Sequence, residues 1–71
     1  MKMTSDLIQI AAAGAGLRIS AKSKTTGDLV QIAAAASGKG TRVYVTDANV
    51  RTTTDLVQIA AAGKGCVVFE F

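Results

Sequence analysis

Asp28-Leu29-Val30-Gln31-Ile32-Ala33-Ala34-Ala35 and Asp55-Leu56-Val57-Gln58-Ile59-Ala60-Ala61-Ala62 are the same eight residues written twice. Asp6-Leu7-Ile8-Gln9-Ile10-Ala11-Ala12-Ala13 is a third copy with isoleucine for valine. A threonine stands two places before each aspartate, at Thr4, Thr26 and Thr53. The aspartates are spaced by 28 − 6 = 22 and 55 − 28 = 27 residues. Self-similarity at a period of this order marks a repeat architecture, in which one supersecondary unit is copied and stacked.

Local chemistry makes each copy a helix. The threonines, with Ser5 and Thr54 as neighbours able to substitute, read as N-caps. The aspartate falls in the first turn, where it complements the helix dipole. Alanine has the best helix propensity. Leu7, Ile10 and Ala11 share one face, as do Leu29, Ile32, Ala33 and Leu56, Ile59, Ala60. Glycine pairs stop the helices: Gly14 and Gly16, Gly38 and Gly40, Gly63 and Gly65. The first of each pair is expected in the left-handed C-cap conformation.

A strand-like run follows each stop: residues 17–21, 41–45 and 66–71. Helices alternating with strands predict a parallel sheet. The expected fold is α/β, one domain over residues 1–71. Its three tandem helix–strand repeats (about 3–24, 25–47 and 52–71) form a small parallel-sheet solenoid with the helices on one face. Alternation, counted from the glycine before each strand, assigns the sheet faces. Leu17, Ile19, Ala21, Thr41, Val43, Val45, Cys66 and Val68 are expected under the helices. Arg18, Ser20, Lys22, Arg42, Tyr44, Thr46, Val67, Phe69 and Phe71 are expected on the open side.

Length and composition narrow the function. A chain of 71 residues has a small core and normally needs a disulfide, a metal or self-association to hold it. One cysteine, Cys66, and no histidine exclude an intrachain disulfide and leave a structural zinc site without ligands. Self-association is the remaining staple. The same inventory lacks a nucleophile–base pair, so an enzyme is not expected, and no cofactor is implied. The start of the chain, Lys2 followed by an apolar run to Leu17, has the look of a signal peptide. Its recurrence inside the chain makes it part of the fold instead. No apolar run reaches the roughly 18–20 residues of a membrane span, so no membrane partner is expected and the expected compartment is the cytoplasm.

Four further features are resolved by position. Ser37-Gly38-Lys39-Gly40-Thr41 resembles the tail of a P-loop, but it follows a helix instead of opening one and reads as a C-cap. Gln9, Gln31 and Gln58 recur at one position and are expected to line up as a hydrogen-bonded row. Asp6, Asp28 and Asp55 each serve their own helix N-terminus. Cys66 is expected on the core side as an inert thiol.

The candidate functional residues are those that differ between copies. Tyr44, Val67, Phe69 and Phe71 form the expected interaction face, on a third strand whose outer edge has no lysine or proline to blunt it. The expected partner is a second copy of the chain, a dimer favoured. The alternative to an interface is that Phe69 and Phe71 fold over the end of the core and cap it, and two other partners for that face stay open. Arg18, Lys22 and Arg42 beside Tyr44 are possible anion contacts for single-stranded nucleic acid, consistent with a net charge of +3. A different protein docking there is the other.

Overall fold

The three shared segments are helices, each followed by a strand. In the computed structural model, which describes residues 3–71, α1 is Thr4–Ala12, β1 Leu17–Ser20, α2 Thr26–Ser37, β2 Val43–Thr46, α3 Thr53–Gly63 and β3 Val67–Phe69. Met1 and Lys2 lie outside the described residues, and with Lys2 the basic start of the leader-like segment. A 3-10 turn, Ala48–Val50, comes between β2 and α3. The strands form one open parallel sheet in the order β1-β2-β3. The fold is α/β. α2 lies between α1 and α3 and packs on both.

The N-caps sit one residue earlier than the sequence predicts. The Thr25 hydroxyl accepts from the Asp28 amide at 3.2 Å, and the Thr52 hydroxyl accepts from the Asp55 amide at 3.2 Å. Runs of adjacent threonines (Thr25-Thr26, Thr52-Thr53-Thr54) leave the phase open in the sequence. A cap three residues before the aspartate puts that carboxylate in the first turn and its amide on the threonine oxygen. At the same place in α1 stands Met3, which offers no cap.

The helix stops also differ from copy to copy. Gly14, at φ 107, takes the expected left-handed role after α1. After α2 that role passes to the second glycine, Gly40 at φ 68, while Gly38 stays right-handed at φ −66. Gly63 is the last residue of α3, and Lys64 at φ 49 and Gly65 at φ 89 make the turn. Gly63 is a site where close packing leaves no room for a side chain. A Cβ there would lie 2.3 Å from Val67 Cγ2 and 3.5 Å from the Ala33 Cβ.

That turn moves the third strand by one residue. Leu17 pairs with Val43, and Val43 with Val67; Ile19 pairs with Val45, and Val45 with Phe69. Side chains at paired positions share a face, so Val67 and Phe69 lie on the helix side, half-buried against the core. The expected face assignment of β3 is therefore reversed. Val68 and Glu70 go to the open side, and so, by the same alternation, does half-buried Cys66. Counting from the glycine fails because the helix-facing residue is one after Gly16, three after Gly40 and two after Gly65. A one-residue slip exchanges the faces of a whole strand, and the slip that buries Val67 and Phe69 hides more apolar area than the one that buries Cys66 and Val68.

The core lies between the layers. Leu29, Ile32, Ile59, Val43 and Val45 are its largest fully buried side chains, with Ile19 and the small Ala11, Ala33 and Ala36 around them. Each large one contributes about 1.5–3 kcal/mol of burial. The 3-10 turn closes one end of the sheet. The Ala48 amide donates to the Glu70 carbonyl at 3.0 Å, and the Glu70 amide to the Val45 carbonyl at 2.8 Å. The longer spacing between the second and third aspartates accommodates this turn.

Candidate interaction surface

The open sheet face is polar. Across its middle run Arg18, Tyr44 and Val68 at matched positions, with Ser20 beside Thr46 one step along. Tyr44 is 38% exposed. Arg18 reaches across it, and its guanidinium donates to Glu70 Oε1 at 2.8 Å. With the Arg18 side chain 71% exposed, such a pair is worth at most about 1 kcal/mol and weakens in salt. It does neutralise one of the cations available to an anion. Of the other two candidate anion contacts, Arg42 and Lys22 are both exposed, and the Lys22 amide donates to the Ser20 hydroxyl at 3.2 Å. The Ser20 hydroxyl in turn donates to Asp47 Oδ2 at 3.0 Å, and Asp47 itself stands in a left-handed conformation at φ 55. The face thus sets Arg18 beside Tyr44, with the Glu70 carboxylate on Arg18.

The apolar candidates gather instead at the C-terminal end of the sheet. Phe69 packs against the core and its ring lies 6.4 Å from that of Phe71, tilted by 51°. Phe71 is 79% exposed. Val43 donates its amide to the Cys66 carbonyl, and Glu70 donates to Val45. In a parallel ladder the intervening residues, Val67 and Phe69, then turn their own amides and carbonyls outward, along an edge that no strand among the described residues covers. On α3, Val57 is 61% exposed. The sequence reading did not single out Val57. Its exposure depends on which flank of α3 has a neighbour, which is a tertiary fact.

Arg51 was also not anticipated. Its guanidinium donates to the Ala21 carbonyl at 3.0 Å and to the Lys24 carbonyl, which ties the loop before α3 to the loop before α2. Its Nε is buried without a partner. The available signal was a basic residue four places before each aspartate: Lys2, Lys24 and Arg51.

The remaining motifs fall where local chemistry puts them. The amides of Lys39, Gly40 and Thr41 donate back to the carbonyls of Ala36, Ser37 and Ala36, so the P-loop-like segment is a helix ending whose donors are occupied. Gln9, Gln31 and Gln58 are exposed, and no hydrogen bond joins them among the described residues, against the expected row. Among the described residues no three acidic or cysteine side chains come together as a metal site, and no helix is long and apolar enough to cross a membrane.

Comparison with family models, with curated proteins and with solved structures finds no match to this chain. Its function is argued from its own surface.

Proposed function

We propose that this chain is a non-enzymatic interaction module, a short solenoid of three stacked helix–strand repeats, that associates with copies of itself through its C-terminal end. One observation carries the reading. Among the described residues no strand pairs with the outer edge of β3, and Phe71 just beyond it and Val57 on α3 are both exposed, in a molecule too small to leave much apolar surface in water at no cost. An unblunted strand edge next to apolar side chains is a template for association. The net charge of +3 is modest enough not to oppose self-contact. A cytoplasmic setting, where Cys66 stays reduced, fits the same reading. Nucleic-acid binding on the opposite face is less well supported, because Glu70 occupies Arg18.

Size-exclusion chromatography with light scattering tests the proposal. The expected mass at micromolar concentration is at least twice the 7.2 kDa of one chain. Phe71→Asp, at a residue exposed enough to change without disturbing the core, is expected to lower the mass toward that of a single chain. A wild-type protein that elutes as a monomer up to about 100 micromolar, a concentration that would largely fill a contact of about 1 micromolar affinity, overturns it.

A further inference from the structure

The three helices carry one sequence, so their burial can be compared position by position, and the comparison separates two flanks. Five residues after the aspartate stand Ala11, Ala33 and Ala60; the first two are fully buried and the third is exposed. Two residues after it stand Ile8, Val30 and Val57; the first two are half-buried against the core and the third is exposed. The opposite order holds on the other flank. Eight residues after the aspartate stand Gly14, Ala36 and Gly63, of which the first is exposed and the other two are buried. Seven residues after it, Ala13 is exposed while Ala35 and Ala62 are half-buried. Six residues after it, Ala12, Ala34 and Ala61 are exposed in all three.

The geometry explains the pattern. The Gly63 Cα faces Ala33, with 3.5 Å to its Cβ from an added methyl. One flank of each helix therefore receives the opposite flank of the next. α1 lends its forward flank to α2, and α2 to α3. Among the described residues no helix covers the forward flank of α3 or the rearward flank of α1. The sheet repeats this asymmetry: β3 has an open forward edge, and β1 an open rearward one, at the two ends of the order β1-β2-β3.

We infer that self-association is head-to-tail: the Val57 and Ala60 flank of α3, with the edge of β3, receives the Ala13 flank of α1 and the edge of β1 from a second copy. This rests on the proposed self-association and adds its geometry. The occupant is a second copy because the chain already carries the complementary surface. The contact continues the α1–α2 and α2–α3 stacking, with Leu17 of the second copy taking its place beside Val67 as it does beside Val43. Such a contact is heterologous. Unlike a two-fold dimer it uses two different patches, and it grows until a ring closes.

Three charge insertions at exposed alanines test this by light scattering, with helical circular dichroism as the check on folding. Ala60→Arg blocks only the forward flank and Ala13→Arg only the rearward one; Ala61→Arg lies on the outer face. Head-to-tail contact predicts that each of the first two alone raises the apparent dissociation constant at least tenfold. Mixed one to one, they are expected to recover a discrete dimer, because each retains the flank that the other lacks. Ala61→Arg is expected to assemble as wild type does. If Ala13→Arg assembles normally while Ala60→Arg is monomeric, the contact is a symmetric C-terminal one, and the head-to-tail inference falls while self-association stands. If the mixture stays monomeric, or Ala61→Arg alone abolishes assembly, the inference also falls. A monomeric wild-type chain overturns both.

Discussion

Thr25 and Thr52 each close the first turn of a helix through a 3.2 Å bond from an aspartate amide, and Met3 occupies the same place with nothing to offer. Cap loss costs about 1 kcal/mol. Thr52→Ala is therefore expected to destabilise the protein by about 1 kcal/mol in urea denaturation, and Met3→Thr to stabilise it by a similar amount. An unchanged midpoint in both variants would show that these caps do not limit stability. The sequence showed that threonine caps the helices but not which threonine. Capping depends on where the first helical residue falls, and adjacent threonines compete for that place on nearly equal terms. Arg51 shows a different limit. Its partners Ala21 and Lys24 lie 30 and 27 residues earlier, a separation that no local pattern encodes.

At the scale of the element, the glycines behave as two kinds. Gly38 is right-handed at φ −66 and a Cβ there meets its first neighbour, the Ala35 carbonyl, at an ordinary 3.5 Å. Gly63 is helical, and its added Cβ would press on Val67 at 2.3 Å. Valine is stiff at χ1 and lies between the helix and the sheet, so it yields little. Gly63→Ala is expected to cost stability, because overpacking of about 1–3 kcal/mol at so close an approach exceeds the roughly 1 kcal/mol that alanine gains in helix propensity. Gly38→Ala is expected to stabilise by about 0.5–1 kcal/mol. Thermal melts of the two variants should move in opposite directions; a shared upward shift would mean that Val67 relaxes freely. The element types, their order and their approximate bounds were legible from capping, alanine content and glycine stops. The face of β3 was not. It was set by the conformations of Lys64 and Gly65, which advance the strand by one residue relative to the glycine count.

For the whole molecule, stability rests on few large side chains. At about 0.05–0.15 kcal/mol per residue a chain of 71 residues has roughly 4–11 kcal/mol in hand. Ile32, fully buried between the layers, is expected to lose about 2–5 kcal/mol on change to alanine. Ile32→Ala should thus lose a large share of the total stability, read as a lower midpoint in urea denaturation, and a loss of under about 1 kcal/mol would mean that the core collapses around the cavity. The sequence by itself determined the α/β class, the order of three helices and three strands and the helix face that turns inward, because these follow from periodicity, propensity and stop signals within a few residues. It also placed both phenylalanines, Phe69 and Phe71, at the C-terminal end. Tertiary structure alone decided which of them face the helices, that Glu70 meets Arg18, and that Val57 and Ala60 stay exposed where their counterparts are covered. The shared helix segments of α2 and α3 are identical in sequence, so nothing local can tell Ala33 from Ala60. Only a neighbouring helix on one and none on the other makes the first core and the second surface.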